Sequence, residues 1–422
     1  MRVLVVGSGG REHAIVWKLA QSPIVKEIYC APGNAGTSEI ANAVAINADD
    51  IEALLSFVKE KAIDLTVVGP EIPLINGIVD TFNAAGLNII GPNKDAAQLE
   101  GSKVFCKNIL KKYNIPTAQF ESFSDAASAK SYIKQVGAPI VVKADGAAAG
   151  KGVTVAMTVE EALDAVNKMM EEKIFGEAGN NIVIEEFLQG EETSILAFCD
   201  GITILPMASA QDHKRIFDND EGPNTGGMGA YSPVPIVTSE LESEIQETIL
   251  KPTIDALRKE GILFRGILFA GLMLTKDGPK VIEYNVRFGD PETQVVLPRM
   301  KNDLAEVFNA IIENKLADIK LSWDTKFSVG VVMAAQGYPE NYAKGMKVYG
   351  LDTFKNIQDT FAFHAGTEIK NGNVVTNGGR VFNIVALAST LDKAIDKVYS
   401  DILNISFAGA YYRRDIGAKG LK

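Results

Sequence analysis

The chain opens with MRVLVVGSGGREHA (residues 1–14). The apolar run VLVV falls directly into GSGG and then into a segment of helical pattern, which is how a dinucleotide-binding βαβ unit begins. Such a unit uses G-x-G-x-x-G. Gly7 and Gly9 are in place, but Glu12 stands where the third glycine belongs. The second strand ends Cys30-Ala31-Pro32-Gly33, without the acid that would accept from a nucleotide ribose. Moving outward, short apolar runs at 3–6, 28–31, 65–68 and 88–90 alternate with helical stretches at 11–21 and 50–61. Strand alternating with helix predicts a parallel sheet. The strands run into GSGG, APGN, GPE and GPN, at the carboxyl edge where α/β sheets hold ligands. This first α/β domain is assigned to residues 1–102.

The 422 residues exceed one ordinary core, so two to four domains are expected. A hydrophobic fraction of 46% with 23% charged residues is that of a globular protein. The net charge of -11 argues against nucleic acid, whose binding needs Lys and Arg on phosphates. Phosphorylated metabolites stay open, since a few local cations and N–H groups suffice for them. Cys30, Cys106 and Cys199 are odd in number and far apart, fitting neither a disulfide framework nor a zinc site. A cytoplasmic protein is expected, with no secretory leader and no apolar run near the roughly 18 residues that span a membrane.

From Lys103 the pattern becomes α+β. VFCKNILKKYN reads as an amphipathic helix ended by Pro116. VVKADGAAAGKGVTVAM (141–157) resembles a phosphate loop, but Asp145 stands five positions before Gly150, where Walker A needs glycine, and Gly152 follows Lys151. The β-branched GVTVAM makes it a glycine flap between two strands. Lys143 and Lys151 there face an anion, or the turn is a plain solvated hairpin. IVIEEFLQGEE (182–192) offers either an adenine slot with ribose-binding acids, or a solvated acidic turn.

VIEYNVRFGDPETQ (281–294) carries the most chemistry. On a strand, alternate residues share a face, so Glu283, Asn285 and Arg287 project together, and Ile282, Tyr284 and Val286 enter the core. A carboxylate beside an amide oxygen suits Mg²⁺ on nucleotide phosphates, and Arg287 suits a phosphoryl oxygen. HKRIFDNDEGPNTGGMGAYSP (213–233) lacks secondary-structure pattern but holds Ile216, Phe217, Met228 and Tyr231, so an ordered binding loop is expected. The histidines His13, His213 and His364 are not expected to cluster. The remainder, from 326 to 422, reads as a β-rich domain closed by a helix at 391–405.

In this order and spacing, GSGGREHA, GPE, KADGAAAGKGV, IEEFLQGEE, QDHKRIFDNDEGPNTGGMGAYSP, EYNVRFGDPETQ and YRRDIG resemble the glycinamide ribonucleotide synthetase family of the ATP-grasp superfamily. The long DHKR…GGMGAYSP and RFGDPE motifs are specific to it; the glycine flap is shared by many ATP-grasp ligases. The resemblance implies a Rossmann-like domain (1–102), an ATP-grasp domain (103–325) with a mobile lid at about 120–188, and a C-terminal domain (326–422). It implies ATP, glycine and 5-phosphoribosylamine as substrates, joined through a glycyl phosphate in purine synthesis, by a monomer or small homo-oligomer. Carried onto this sequence, Lys103, Lys143, Gly150, Lys151 and Gly152 face the ATP phosphates. Glu185, Glu186, Leu188 and Glu192 hold the nucleoside, and Glu283 and Asn285 bind Mg²⁺ or Mn²⁺. Arg287, Lys143 and Asp212 act in catalysis. Gly9, Gly10, Asn34, Gly226, Gly227, Met228, Gly289, Asp290, Pro291 and Glu292 shape the glycine and ribosylamine sites, with the N-terminal glycine loop on the sugar phosphate. AGLML (270–274) lacks an acid that many ATP-grasp enzymes carry there, which leaves the number of metal ions open. The alternatives are another ATP-grasp carboxylate ligase or carboxylase of purine metabolism, and a nucleotide-binding protein without catalysis.

Overall fold

A computed structural model describes residues 1–146, 152–354 and 357–421. The N-terminal strands β1 (Arg2–Gly7), β2 (Glu27–Pro32), β3 (Asn42–Ala43), β4 (Leu65–Val68) and β5 (Ile89–Ile90) form a sheet in the order β3-β2-β1-β4-β5. It is parallel throughout, with Val3 opposite both Ile28 and Leu65. Leu4 and Val6 enter one hydrophobic cluster, Val3 and Val5 another. Both faces are covered, and for that reason VLVV is apolar without alternation. Helix Ile51–Lys61 begins at Asp50, whose carboxylate accepts from the Ala53 N–H, as an N-cap does.

β6 (Phe120–Phe123), β7 (Ile140–Ala144), β8 (Val153–Ala156) and β9 (Ile182–Glu186) make a separate antiparallel sheet, β6-β9-β7-β8. Its core, including Ile133, Val142, Ile182 and Ile184, is distinct from those of the other sheets. β10 (Glu191–Cys199), β11 (Ile204–Pro206), β16 (Gly266–Thr275) and β17 (Gly278–Asn285) form a third sheet, with β10 and β17 flanking β16.

The segment 213–233 departs from its reading as an unpatterned loop. β12 (Gln211–Asp212) and β15 (Gly229–Ser232) join β18 (Phe327–Ala334), β22 (Arg380–Ala388) and β19 (Thr360–His364) in one sheet. Between them, β13 (Arg215–Phe217) and β14 (Glu221–Asn224) make a hairpin, as do β20 (Thr367–Lys370) and β21 (Asn373–Thr376). Ile216, Met228 and Tyr231 are buried as anchors, but Phe217 is exposed. The sheet takes strands from both sides of residue 325, so the middle and C-terminal segments share a core.

The β16–β17 ladder also corrects one residue. Its register shifts so that Gly271 faces Glu283 and Leu272 faces Val281, leaving Ile282 as the extra residue of a bulge. Val281, Tyr284 and Val286 fill the core. Ile282, expected there, is only half-buried.

Candidate active site

Glu283, Asn285 and Arg287 remain on one side of this strand, at the junction of three sheets. Four cations from separate elements surround Glu283: Lys214 beyond β12, Lys103 at the start of helix Lys103–Lys112, Lys143 on β7, and Arg287. Burial opposes its charge, yet these cations outweigh burial and hold the carboxyl below its usual range. Lys143 reaches across from the β6–β9 sheet and donates to the Ile282 carbonyl at 3.3 Å. The bulge turns that carbonyl toward it.

Lys214 was missing from the residues chosen by sequence. Its ammonium bonds Glu192 at 2.8 Å. Burial would lower its pKa, but Glu192, Asp212 and Glu283 raise it well above the usual value. The clue was present in QDHKR: Asp212 and Lys214 lie two apart on an extended chain. Asp212 is pushed up by burial and by the Glu192 and Glu283 charges, against the pull of Lys214. Glu292 is raised to about 8 by burial and by Asp212.

Several expected roles change once side-chain partners are seen. Glu185 is buried between Lys107 and Lys143, 2.9 Å from each ammonium, so its carboxylate serves two lysines rather than a ribose. Lys107 lies one helical turn after Lys103, a spacing that could have marked it. The Arg287 guanidinium is held by Glu71 at 2.9 Å and Glu100 at 3.1 Å, and also donates to Asn285 Oδ1 and the Phe288 carbonyl. It therefore stands among N-terminal carboxylates, which take two of its three nitrogens. Glu71 belongs to the GPE loop noted earlier; Glu100 carried no local signal.

The N-terminal loop differs most from its reading. Glu12 folds back beneath Gly7 and Gly69, where a Cβ on either would collide with it. Its carboxylate accepts from the Gly9 N–H and from Arg11 Nε. The Arg11 N–H donates to Asp290 Oδ2 at 3.2 Å. Two of the N–H groups assigned to a sugar phosphate are thus taken by the protein's own carboxylates. Gly10 packs against Gln294. Asn34 donates to the Ser8 and His364 carbonyls and accepts from Gly36 and Thr37 N–H, which leaves its amide nothing for a substrate. Met228 is fully buried in the C-terminal core, so it cannot touch one either. Two of the histidines do meet: the His13 and His364 rings lie 5.5 Å apart, and the His364 N–H donates to His13 Nδ1.

The remaining expected residues are placed as follows. Lys103 Nζ lies 3.5 Å from the Gly146 carbonyl at the base of the flap, and Gly152 is buried. Glu186 accepts from Gln119 N–H, and Leu188 is half-buried. Gly226 and Gly227 face Arg380 and Pro291, and Gly289 lies over Glu292. Gly150 and Lys151 fall outside the described residues. Among those residues no group of three or more His, Cys, Asp or Glu is arranged to hold a metal ion, and no helix is long and apolar enough to cross a membrane.

Three family descriptions match the chain in succession: the N domain of phosphoribosylglycinamide synthetase over residues 1–100, its ATP-grasp (A) domain over 101–293, and its C domain over 328–419. The chain belongs to the phosphoribosylglycinamide synthetase family. A phosphoribosylamine–glycine ligase of Caldanaerobacter subterraneus subsp. tengcongensis is 50% identical over 99% of this chain and 100% of its own. The crystal structure of a phosphoribosylamine–glycine ligase from Thermotoga maritima superposes with a TM-score of 0.84 at 36% identity, covering 98% of this chain and 100% of that one. The biotin carboxylase domain of 2-oxoglutarate carboxylase from Hydrogenobacter thermophilus shares the fold at 15% identity, with a TM-score of 0.74 over 97% of this chain and 91% of its own. The phosphoribosylglycinamide synthetase fold is thus a mixed α/β one: parallel N-terminal sheet, ATP-grasp centre and antiparallel C-terminal sheet.

Proposed function

We propose that the chain joins glycine to 5-phosphoribosylamine with ATP, giving glycinamide ribonucleotide, ADP and phosphate. The observation that carries this reading is Glu283: a half-buried carboxylate kept charged by four cations drawn from four elements. Such a junction binds a polyphosphate and its counter-ion, which is what activating a carboxylate requires.

Oxide is a poor leaving group, so the glycine carboxylate must first take the terminal phosphoryl of ATP. Phosphate then leaves as the ribosylamine nitrogen attacks the carbonyl carbon. Lys103 and Lys143 neutralise the phosphates. The half-buried Leu188 and the stretch from Glu186 to Glu192 frame the nucleoside. Asp212, Gly226, Gly227 and Asp290 line the glycine and ribosylamine sites. The sheet of residues 120–186 moves as the lid, in a layout of domains at 1–102, 103–325 and 326–422.

Glu283 and Asn285 fit Mg²⁺ or Mn²⁺: both offer hard oxygens, and Glu283 is held ionised, while among the described residues no group of three or more His, Cys, Asp or Glu forms a cage of its own. When bound, such an ion would supply positive charge against the ATP phosphates.

The test is ADP release with phosphoribosylamine generated in place, with and without glycine. Turnover should need both. Turnover with another amine or carboxylate in their stead would favour a different ATP-grasp ligase. Mg-ATP should raise the melting temperature and NAD should not.

A further inference from the structure

Gly226 is gripped on both of its polar groups by the C-terminal segment. Its N–H donates to the Tyr338 hydroxyl at 3.1 Å, and its carbonyl accepts from Arg380 Nη1 at 2.6 Å. The same Nη1 lies 3.4 Å from the Gly227 carbonyl and 2.8 Å from the Asp290 carbonyl. It is also 3.3 Å from Asp290 Oδ1. Arg380 opens β22, and its own carbonyl accepts from the Gly366 N–H, so the base of the side chain is fixed. Beyond the loop, Thr225 Oγ1 donates to the Lys214 carbonyl and accepts from the Gly227 N–H. The grip thus runs on to the cation beside Glu283.

We propose that Arg380 is a positioning residue: one guanidinium nitrogen, bonded to the carbonyls of Gly226 and Asp290 together, sets the gap between the glycine loop and the 289–292 turn, and with it the fit of glycine and phosphoribosylamine. This rests on the reading above that loop and turn line those two sites. On that same reading the nucleotide belongs to other elements, β7, β9 and β17. Arg380 therefore acts on the acceptor side and not on ATP. A lysine carries the charge on a shorter stem, so its ammonium falls short of the place that Nη1 holds between the two carbonyls.

The experiment is steady-state kinetics of Arg380→Lys and Arg380→Met with each substrate varied in turn. KM for glycine and for phosphoribosylamine should rise about tenfold or more in Arg380→Met, and less in Arg380→Lys, while KM for ATP stays within about twofold. Tyr338→Phe, which frees the other side of Gly226 without changing charge, should shift the same two constants in the same direction. If all three KM values move together, or only the melting temperature falls, the positioning role is overturned and the ligase reading stands. If the wild-type chain releases no ADP with both substrates, the ligase reading falls instead.

Discussion

Glu283, half-buried, and Glu292, buried, are acids of one cluster, yet their surroundings push them in opposite directions. Glu283 has four cations near it and is held low; Glu292 is raised to about 8, first by burial and then by the charge of Asp212. Replacing Glu283 with alanine should remove several kcal/mol of transition-state stabilisation, about a thousandfold or more in ADP release, if the proposed ion is the main charge neutraliser. The melting temperature of the variant separates that loss from unfolding. For Glu292 the consequence is in stability. Its folded pKa, about 8, lies above the ordinary 4.5. The folded state therefore holds a proton that the unfolded chain gives up, so the contribution is complete below pH 4.5 and disappears as pH climbs to 8. Without divalent ions, the protein should lose stability across that window, on the order of a few kcal/mol. Glu292→Gln should flatten the curve. Melting temperatures at the two ends of the window decide it, and an equally steep variant would refute the assignment.

At the scale of elements, what the sequence made legible was whatever repeats at short range. The strands at 3–6, 28–31 and 65–68 appear as β1, β2 and β4, because apolar runs flanked by glycine and proline have few other uses. The flap was correctly separated from a phosphate loop, since β7 pairs antiparallel with β8. β12 to β15 were not legible. They are two to four residues long, and β15 pairs with β18, about a hundred residues later in the chain. The Ile282 bulge was hidden for a related reason, being a property of two strands in register. Alternation alone put Glu283, Asn285 and Arg287 together but could not show that Glu71 and Glu100 already held the arginine. The Gly9-x-x-Glu12 spacing, by contrast, is half of a capping box and could have shown that the acid folds back, but it was read only as a missing third glycine. The Lys107–Glu185–Lys143 array belongs to this scale, joining helix Lys103–Lys112 to β9 and β7. Both lysines and the acid are almost wholly buried, and Lys107 also donates to Thr117 Oγ1 at 2.7 Å. Lys107→Met removes one of two cations from a buried carboxylate and should cost about 2–4 kcal/mol in urea unfolding. Lys107→Arg should cost less. A neutral result for the methionine variant would mean that Lys143 alone balances Glu185.

Across the whole molecule, segments distant in sequence meet around a few side chains. Asp290 joins the N-terminal helix, through Arg11 N–H, to the C-terminal Arg380. The tail supplies a second such joint, which gives the YRRDIG motif a physical role. Arg413 is fully buried and forms a fork on Asp415, with both bonds at 2.7 Å. Its remaining nitrogen bonds Asp220 at 2.9 Å and the Arg215 carbonyl at 3.0 Å. The next residue contributes as well: Arg414 N–H donates to Asp218, while Asn219 N–H donates to Asp415. The hairpin tip so held contains Asn219 and Asp220 in left-handed conformation, at φ of 59° and 55°. That conformation is sparsely populated outside glycine and persists where neighbours over-determine it. Arg413→Met should destabilise the protein by roughly 2–3 kcal/mol, below the cost of breaking a fully buried pair because Asp220 and Asp415 keep access to water. Lys419→Ala, which removes a half-exposed partner of Asp220, should cost under about 0.5 kcal/mol. The β13–β14 hairpin runs into Thr225, Gly226 and Gly227, so Arg413→Met should also make residues 215–224 more sensitive to limited proteolysis and raise KM for glycine. Protection by Mg-ATP should be unchanged. A hairpin as protease-resistant as in the wild type would show that the β13–β14 pairing holds itself, and would leave the tail with no part in shaping the site.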